Sequence, residues 1–334
     1  YRVGAAHCAR QRLTRAMSKL KRYLSQGVPF PWQKRGLLFE PEGEEYSHGS
    51  HPCAVHLRDD LYVIAFTRRD SRQRSNIFLT YATARQGQIS LLGSPKVALF
   101  PGAACCFDCD GVISVCFVRH GGNIYLYYVG WQNLPESLWI CDTGRAVLEP
   151  EQLTLKREFL GPVLGRDKSN PLFAAATAFY VSGDSWQTWY NSGIRWEKTP
   201  QGWKHYYGIH YAHSTDGVDW ACEPGMCLPF ADEYEYAFGR PTVIRIDDTY
   251  FMWYAHRATR DIDTYRIGFA SSLDGRHWDR SDGLAGVDVS SSGWDSEMVC
   301  YPCVFEHAGW MYMLYNGNGY GKTGFGVAVM EVSE

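Results

Sequence analysis

Ionisable and polar side chains stand just ahead of five separate apolar runs in this sequence. In chain order they are His51, Asp108, Asn170, Arg240 and Tyr301, with Glu235, Asp295 and Glu297 close upstream of the last two. Charged groups crowded together perturb one another's protonation, which is the setting for acid–base work. One carboxyl group would protonate a leaving oxygen while a second activates water; Asp108 and Glu297 are the expected pair, with Glu235 third. A second set is cationic. The loop 66–75 holds Arg68, Arg69, Arg72 and Arg74, and Arg257 follows the aromatic run at 250–254. Guanidinium forks match phosphate or carboxylate oxygens. If Arg68, Arg69, Arg240 and Arg257 share one mouth, the ligand is an anion; solvated surface arginines are the plain alternative.

A repeat sets the positions of these residues. The aromatic cores LYVIAF (61–66), IYLYYV (124–129), WQTWY (186–190), YFMWY (250–254) and MYMLY (311–315) end at Phe66, Tyr128, Tyr190, Tyr254 and Tyr315. The steps between these ends are 62, 62, 64 and 61 residues. Each period has room for about four strands, the mark of radial repetition. The stretch 239–278 alternates apolar and polar residues between Asp-rich turns, as an antiparallel meander does. The expected fold is all-β: a five-bladed β-propeller over residues 36–334, in which the first strand of each blade lines a central channel. His51, Asp108, Asn170, Arg240 and Tyr301 would then crowd one mouth of it. In the S-x-D-G-x-x-W turns, Asp216 and Asp274 are expected to serve the hairpin, with Trp220 and Trp278 packing back on the blade.

Residues 1–39 carry nine Lys or Arg and no acid. Segment 1–35 is expected as a basic extension, helical or extended. Leu13, Met17, Leu20 and Leu24 give 9–24 a helical stripe, suited to lying on the propeller's side, to a mobile arm, or to contact with an acidic partner or nucleic acid. For the chain as a whole, a net charge of −3 with 21% charged residues argues against bulk attraction to nucleic acid or membranes. No apolar run is long enough for a signal peptide or a membrane span, so a cytoplasmic location is expected. The chain begins at Tyr1 rather than Met, as a trimmed or excised piece would. There are 11 cysteines. Cys105, Cys106 and Cys109 cluster, and Cys300 and Cys303 form a C-x-x-C without a matching second pair, so buried thiols are expected rather than a metal site. The Gly-Lys-Thr at 321–323 lacks P-loop spacing, and no cofactor motif appears. Oligomeric state is left open.

The pieces GLLFEP (36–41), Ser47-His48, FTRRD with Arg74-Ser75, FDCDGV (107–112), YYVGW (127–131), FGRP (238–241), MWYAHR (252–257), GWDSEMVCYP (293–302) and MLYNGNGYGKTGFG (313–326) carry a family resemblance. Together with the x-P-x-V and I-x-x-A-x-S-x-D-G-x-x-W patterns, they resemble the five-bladed glycoside hydrolases of families 32, 43, 62, 68 and 130. The resemblance is closest to a bacterial subgroup of glycosidase-like propeller proteins and covers about residues 36 to 330. It implies a small-molecule sugar or sugar-phosphate substrate, with His48, His51, Arg68, Arg69, Trp131, Asn170, Arg240, Arg257 and Asp295 around it. It also implies glycosidic or glycosyl-phosphate bond cleavage by two carboxylates. The chain departs from the pattern. Pentosidase-type members have an Asp before blade one, an Asp in blade two and a Glu in blade three. Here His51 takes the first place, Asp108 the second, and blade three offers Asn170. A transferase or lyase using the same cup, and a carbohydrate-binding module with its carboxylates tied up in salt bridges, are the alternatives.

Overall fold

Along β3 (Leu61–Arg69), Tyr62, Ile64 and Phe66 pack toward one neighbouring sheet, while Val63 and Ala65 pack toward another. This period-two alternation, with both faces buried, makes each sheet the filling between two others. The computed structural model describes residues 19–43, 45–200, 202–257 and 262–332.

Blade one comprises β2 (Ser47–Arg58), β3, β4 (Ser75–Arg85) and β5 (Gln88–Leu99). Blade two comprises β6 (Gly111–His120), β7 (Asn123–Asn133), β8 (Trp139–Glu149) and β9 (Thr154–Arg157). Blade three comprises β10 (Ala174–Ser182), β11 (Ser185–Thr199), β12 (Gly202–Ser214) and β13 (Ala221–Met226). Blade four comprises β14 (Ala237–Ile246), β15 (Thr249–Arg257), β16 (Tyr265–Ser272) and β17 (Asp279–Arg280). Blade five comprises β18 (Cys300–His307), β19 (Trp310–Asn316) and β20 (Phe325–Glu331), with β1 (Gln33–Phe39) as its outer strand. Pairing within every blade is antiparallel. Consecutive blades touch through single parallel pairs at Ser75–Gly111, Asp142–Ala174 and Tyr207–Ala237. Apolar cores fill every gap between neighbours, including the one between blades five and one, so the ring is closed.

The closing strand comes from the other end of the chain. β1 pairs with β20, so the two ends of the propeller share blade five. It starts at Gln33, inside the segment set apart as 1–35. Residues 19–26 form helix α1, which buries Leu20 with Phe30 and Trp32 between blades four and five. Lys21 of α1 pairs with Asp247 and Asp248 at 3.1 and 2.6 Å. Leu13 and Met17 of the helical stripe lie outside the described residues.

The Asp-Gly turns lock blades together. Gly217 between β12 and β13 accepts a hydrogen bond from Tyr127 of blade two at 2.6 Å. Gly275 between β16 and β17 accepts one from Trp189 of blade three at 2.7 Å. Asp216 and Asp274 accept backbone N–H groups inside their own turns, the structural part expected of them. Among the described residues no helix is long and apolar enough to cross a membrane.

Candidate active site

Each first strand carries a bulge at one place. The register slips between Ser50 and Cys53, Ser114 and Cys116, Ala176 and Ala178, Gly239 and Thr242, and Cys300 and Cys303. His51, Arg240 and Tyr301 sit in these bulges with φ of 51°, 35° and 56°, each followed by proline. Bulges re-aim side chains, and non-glycine residues held at positive φ are costly enough to be kept for a purpose.

This corrects the equivalence drawn from the sequence. The positions in blades two and three that match His51, Arg240 and Tyr301 are Val115 and Thr177. Asp108 and Asn170 precede their strands and lie outside the channel. The difference has a simple cause: no proline follows Val115 or Thr177 to mark the bulge, while Asn170-Pro171 upstream mimics the His51-Pro52 step and Asp108 is an acid ahead of the strand.

Because first strands start at the bulge end, the connections between second and third strands rise over the same mouth. Together they enclose a funnel of about 890 Å³, within the usual range for a ligand site. Blade three dominates one wall, since β11 and β12 are 15 and 13 residues long while β15 and β16 are 9 and 8. The extra length brings Trp203, Lys204 and His205 into the lining, with Trp131 and Trp139 from blade two.

The floor is a guanidinium. Arg240 donates to the carbonyls of Tyr301 (2.9 Å), Pro52 (2.8 Å) and Val115 (2.9 Å), which belong to blades five, one and two. Its side chain is buried, and the bulges turn these carbonyls toward it. Beside it the His51 ring stacks on Tyr301 at 4.2 Å. Burial holds the His51 imidazole well below its ordinary pKa, and the charges of Arg240 and Arg69 add to that, so the ring is neutral.

Tyrosines and Arg257 form the next layer. The Tyr207 and Tyr265 hydroxyls hydrogen-bond each other. Burial pushes Tyr207 up to about 12, against the Tyr265 hydrogen bond and Arg257, and holds Tyr265 well above its ordinary value, so both are protonated. The Arg257 guanidinium lies 5.3 and 5.8 Å from the ring centres of Tyr236 and Tyr265. Its nearest carboxylate, Asp263, is 3.9 Å away, and Tyr236 also donates to Asp263 at 3.4 Å. Asp263 is the one carboxylate among the described lining residues, against Arg69, Lys204, Arg240 and Arg257.

Of the residues expected at the site, His51, Arg69, Trp131, Arg240 and Arg257 line the funnel. The rest do not, and the structure gives each another place. Asp108 is buried, 2.7 Å from Arg157, and accepts from the Tyr128 hydroxyl at 3.3 Å. Glu235 is buried and held by Arg280 at 2.6 and 2.7 Å, by His256 at 3.1 Å and by the Ala231 N–H. Burial alone would raise its pKa; the hydrogen bonds from Arg280, His256 and Ala231 outweigh that and bring it down to about 2. Asp295 binds Lys34 at 2.7 Å and the Tyr315 hydroxyl at 3.0 Å. Asn170 bonds Asp167 and Ser192. Arg68 donates to the carbonyls of Glu42 and Tyr46. His48, lowered to about 4 by burial with help from Arg69 and Lys322, bonds the Ser47 hydroxyl. Glu297 is exposed.

Two of these placements, those of Asp108 and Asp295, share one device with Asp282 of blade four. The last aromatic of the second strand (Tyr128, Tyr254 or Tyr315) bonds an acid from a neighbouring connection (Asp108, Asp282 or Asp295). A cation on the outer strand (Arg157, Arg280 or Lys34) then closes the group. These acids tie a loop to the blade's outer edge. The sequence held part of the signal for this: Asp108 and Asp295 each stand 20 residues before their tyrosines, whereas Asp282 comes 28 residues after Tyr254.

The residues missed include Trp139, Trp203, Lys204, His205, Tyr207, Tyr236, Asp263 and Tyr265. Only the unusual length of the β11–β12 hairpin, legible as the insertion WEKTPQGWKHYY, pointed to any of them. No three His, Cys, Asp or Glu among the described residues come together as metal ligands.

This fold and funnel define a class: the fold is that of the propeller-type glycoside hydrolases. The chain is similar to the solved structure of a BT0996 RGII complex, with a TM-score of 0.73 at 17% identity over 94% of this chain and 95% of that one. A structure described as a glycoside hydrolase matches with a TM-score of 0.72 at 18% identity over 94% of each chain. The GH32 β-fructofuranosidase BmSUC1 of Bombyx mori matches at 0.61 and 11% identity, over 94% of this chain and 66% of that one. No family model matches the sequence. Over 303 residues the chain is 35% identical to uncharacterized protein Rv1502 of Mycobacterium tuberculosis (strain ATCC 25618 / H37Rv), spanning 90% of this chain and 99% of that protein. It belongs to the family of that protein.

Proposed function

We propose that this chain is a cytoplasmic carbohydrate-active enzyme that takes an anionic sugar into the funnel and breaks a glycosidic or glycosyl-phosphate bond there. The observation that carries the reading is the imbalance of charge on the lining: Arg69, Lys204, Arg240 and Arg257 face one carboxylate, Asp263, among the described residues. Trp131, Trp139 and Trp203 supply flat apolar faces on which a sugar ring stacks. The glycoside-hydrolase folds of the structural neighbours support a carbohydrate substrate, and the free thiols of the ten described cysteines suit a reducing compartment.

Asp108 and Glu297 are not the reacting pair in this reading, nor is Glu235 a third reacting group. Proton transfer falls to groups that line the funnel: the neutral imidazoles of His51 and His205 and the protonated hydroxyls of Tyr207 and Tyr265. The single lining carboxylate favours a second reading, lysis rather than hydrolysis. A base takes the proton next to a sugar carboxylate, the neighbouring C–O bond breaks, and the leaving oxygen gains a proton; no water is consumed. The test is a turnover panel of sugar nucleotides, aryl glycosides and uronides, comparing wild type with Tyr207→Phe and Tyr265→Phe. Turnover of anionic substrates that is lost in both variants supports the reading, and an unsaturated uronide product selects lysis. Preference for neutral glycosides, or full activity in both variants, would sink it.

A further inference from the structure

Arg69 ends β3 and lines the funnel, half-buried. Its guanidinium has no ion pair among the described residues; the neighbouring group that acts on it is Tyr301. Arg240, next to it across His51, is buried and satisfied by carbonyl dipoles alone, which carry no net charge. Lys322 adds a third positive charge, felt at His48 together with that of Arg69. The carboxylate of the lining, Asp263, stands away from this group, against Arg257 and Tyr236. Removing cations from water without counter-charges is expensive, and such groups persist where an anion completes them.

We propose that the funnel floor is an oxyanion subsite, in which Arg69 grips the phosphate or carboxylate of the sugar substrate with the His51 ring beside it. This rests on the anionic-sugar reading above and fixes where the anion goes. The His51 Nδ1 is engaged with the Ser50 hydroxyl at 3.1 Å, so Nε2 is the nitrogen left for the ligand. Arg240 stands behind as fixed positive charge, with three of its hydrogen bonds committed to carbonyls of the channel. The substrate therefore enters anion first, and its sugar ring stops higher up, beside Trp131, Trp139 and Trp203. A bound oxyanion would also offset the positive field on His51 and raise its proton affinity, arming the imidazole only when the site is filled.

The experiment is calorimetric titration of the wild type, Arg69→Ala, Arg69→Lys and Arg257→Ala with four probes: inorganic phosphate, a hexose 1-phosphate, a hexuronic acid and the neutral hexose. The expected result is that an anionic sugar binds the wild type at least tenfold more tightly than the neutral hexose. Arg69→Ala removes most of that preference, Arg69→Lys recovers part of it, and Arg257→Ala, which removes a cation higher in the funnel, lowers it by less than Arg69→Ala does. Which anionic sugar binds tells phosphate from carboxylate. A preference unchanged in both Arg69 variants but lost in Arg257→Ala overturns the subsite while leaving the anionic-sugar reading intact. Equal binding of neutral and anionic sugars, or no binding of any probe, overturns both. Thermal melts of each variant identify a folding defect; if Arg69→Ala has one, Arg69→Lys decides, with at least a threefold loss of preference expected.

Discussion

Arg240 of blade four donates a 2.8 Å hydrogen bond to the carbonyl of Pro52 in blade one, across the central channel. Two further bonds from the same guanidinium reach blades two and five. One side chain thus joins four blades at the axis, where backbone carbonyls exposed by bulges would otherwise be unsatisfied. That relationship explains why an arginine is buried without a carboxylate, and it sets the first prediction.

Replacing Arg240 by Met keeps much of the volume and removes every donor. Buried carbonyls left without a donor cost about 1–3 kcal/mol each. The expected loss is about 3–5 kcal/mol of unfolding free energy, partly offset by water entering the channel. Arg240→Lys should recover less than half, because an ammonium lacks the planar fork that spans three carbonyls. Urea unfolding measures both; a change below about 1 kcal/mol in Arg240→Met would refute the role.

Glu235 predicts a pH dependence of stability rather than of turnover. Its folded pKa is about 2 against an ordinary 4.5, so the carboxylate is stabilising when charged. The contribution is complete above about pH 4.5 and disappears as the pH falls toward 2. Its full size is on the order of 3 kcal/mol. The stability gap between wild type and Glu235→Gln should therefore be wide at pH 6 and shrink steadily below pH 4.5. A gap of constant width from pH 6 to pH 3 would show that the carboxylate's charge is not what holds this corner.

Asp108 and Glu297 should separate in opposite directions from a catalytic pair. Asp108→Asn leaves the buried end of Arg157 without its counter-charge, so the melting temperature falls, with a loss of about 2–4 kcal/mol. Glu297→Gln, on an exposed side chain, should change stability by less than about 0.5 kcal/mol. Neither variant should lower turnover more than about threefold, since neither side chain lines the funnel. A loss of a hundredfold or more in both would restore the paired-carboxylate mechanism.

The sequence alone determined the all-β repeat, because radial stacking of equivalent sheets forces a near-equal period. The five aromatic cores and the Asp-Gly-x-x-Trp turns recorded that period without reference to anything distant. It also determined that arginines fall at strand ends, and Arg69, Arg240 and Arg257 do reach the funnel. The tertiary structure decided which polar residues face the funnel and which hold the blades. Asp108 and Asp295 read as site residues because they precede first strands; whether they turn inward or outward depends on Arg157 and Lys34, which lie on outer strands tens to hundreds of residues away. The bulge likewise escapes local sequence where no proline marks it, as at Val115 and Thr177. Tyr207, Tyr236 and Tyr265 come from two blades, and their meeting around Arg257 is a product of the packing of blade three on blade four. Local propensity fixes the strand and its period; the direction of a charge is settled by the partner that neutralises it, and only the folded sheet brings that partner near.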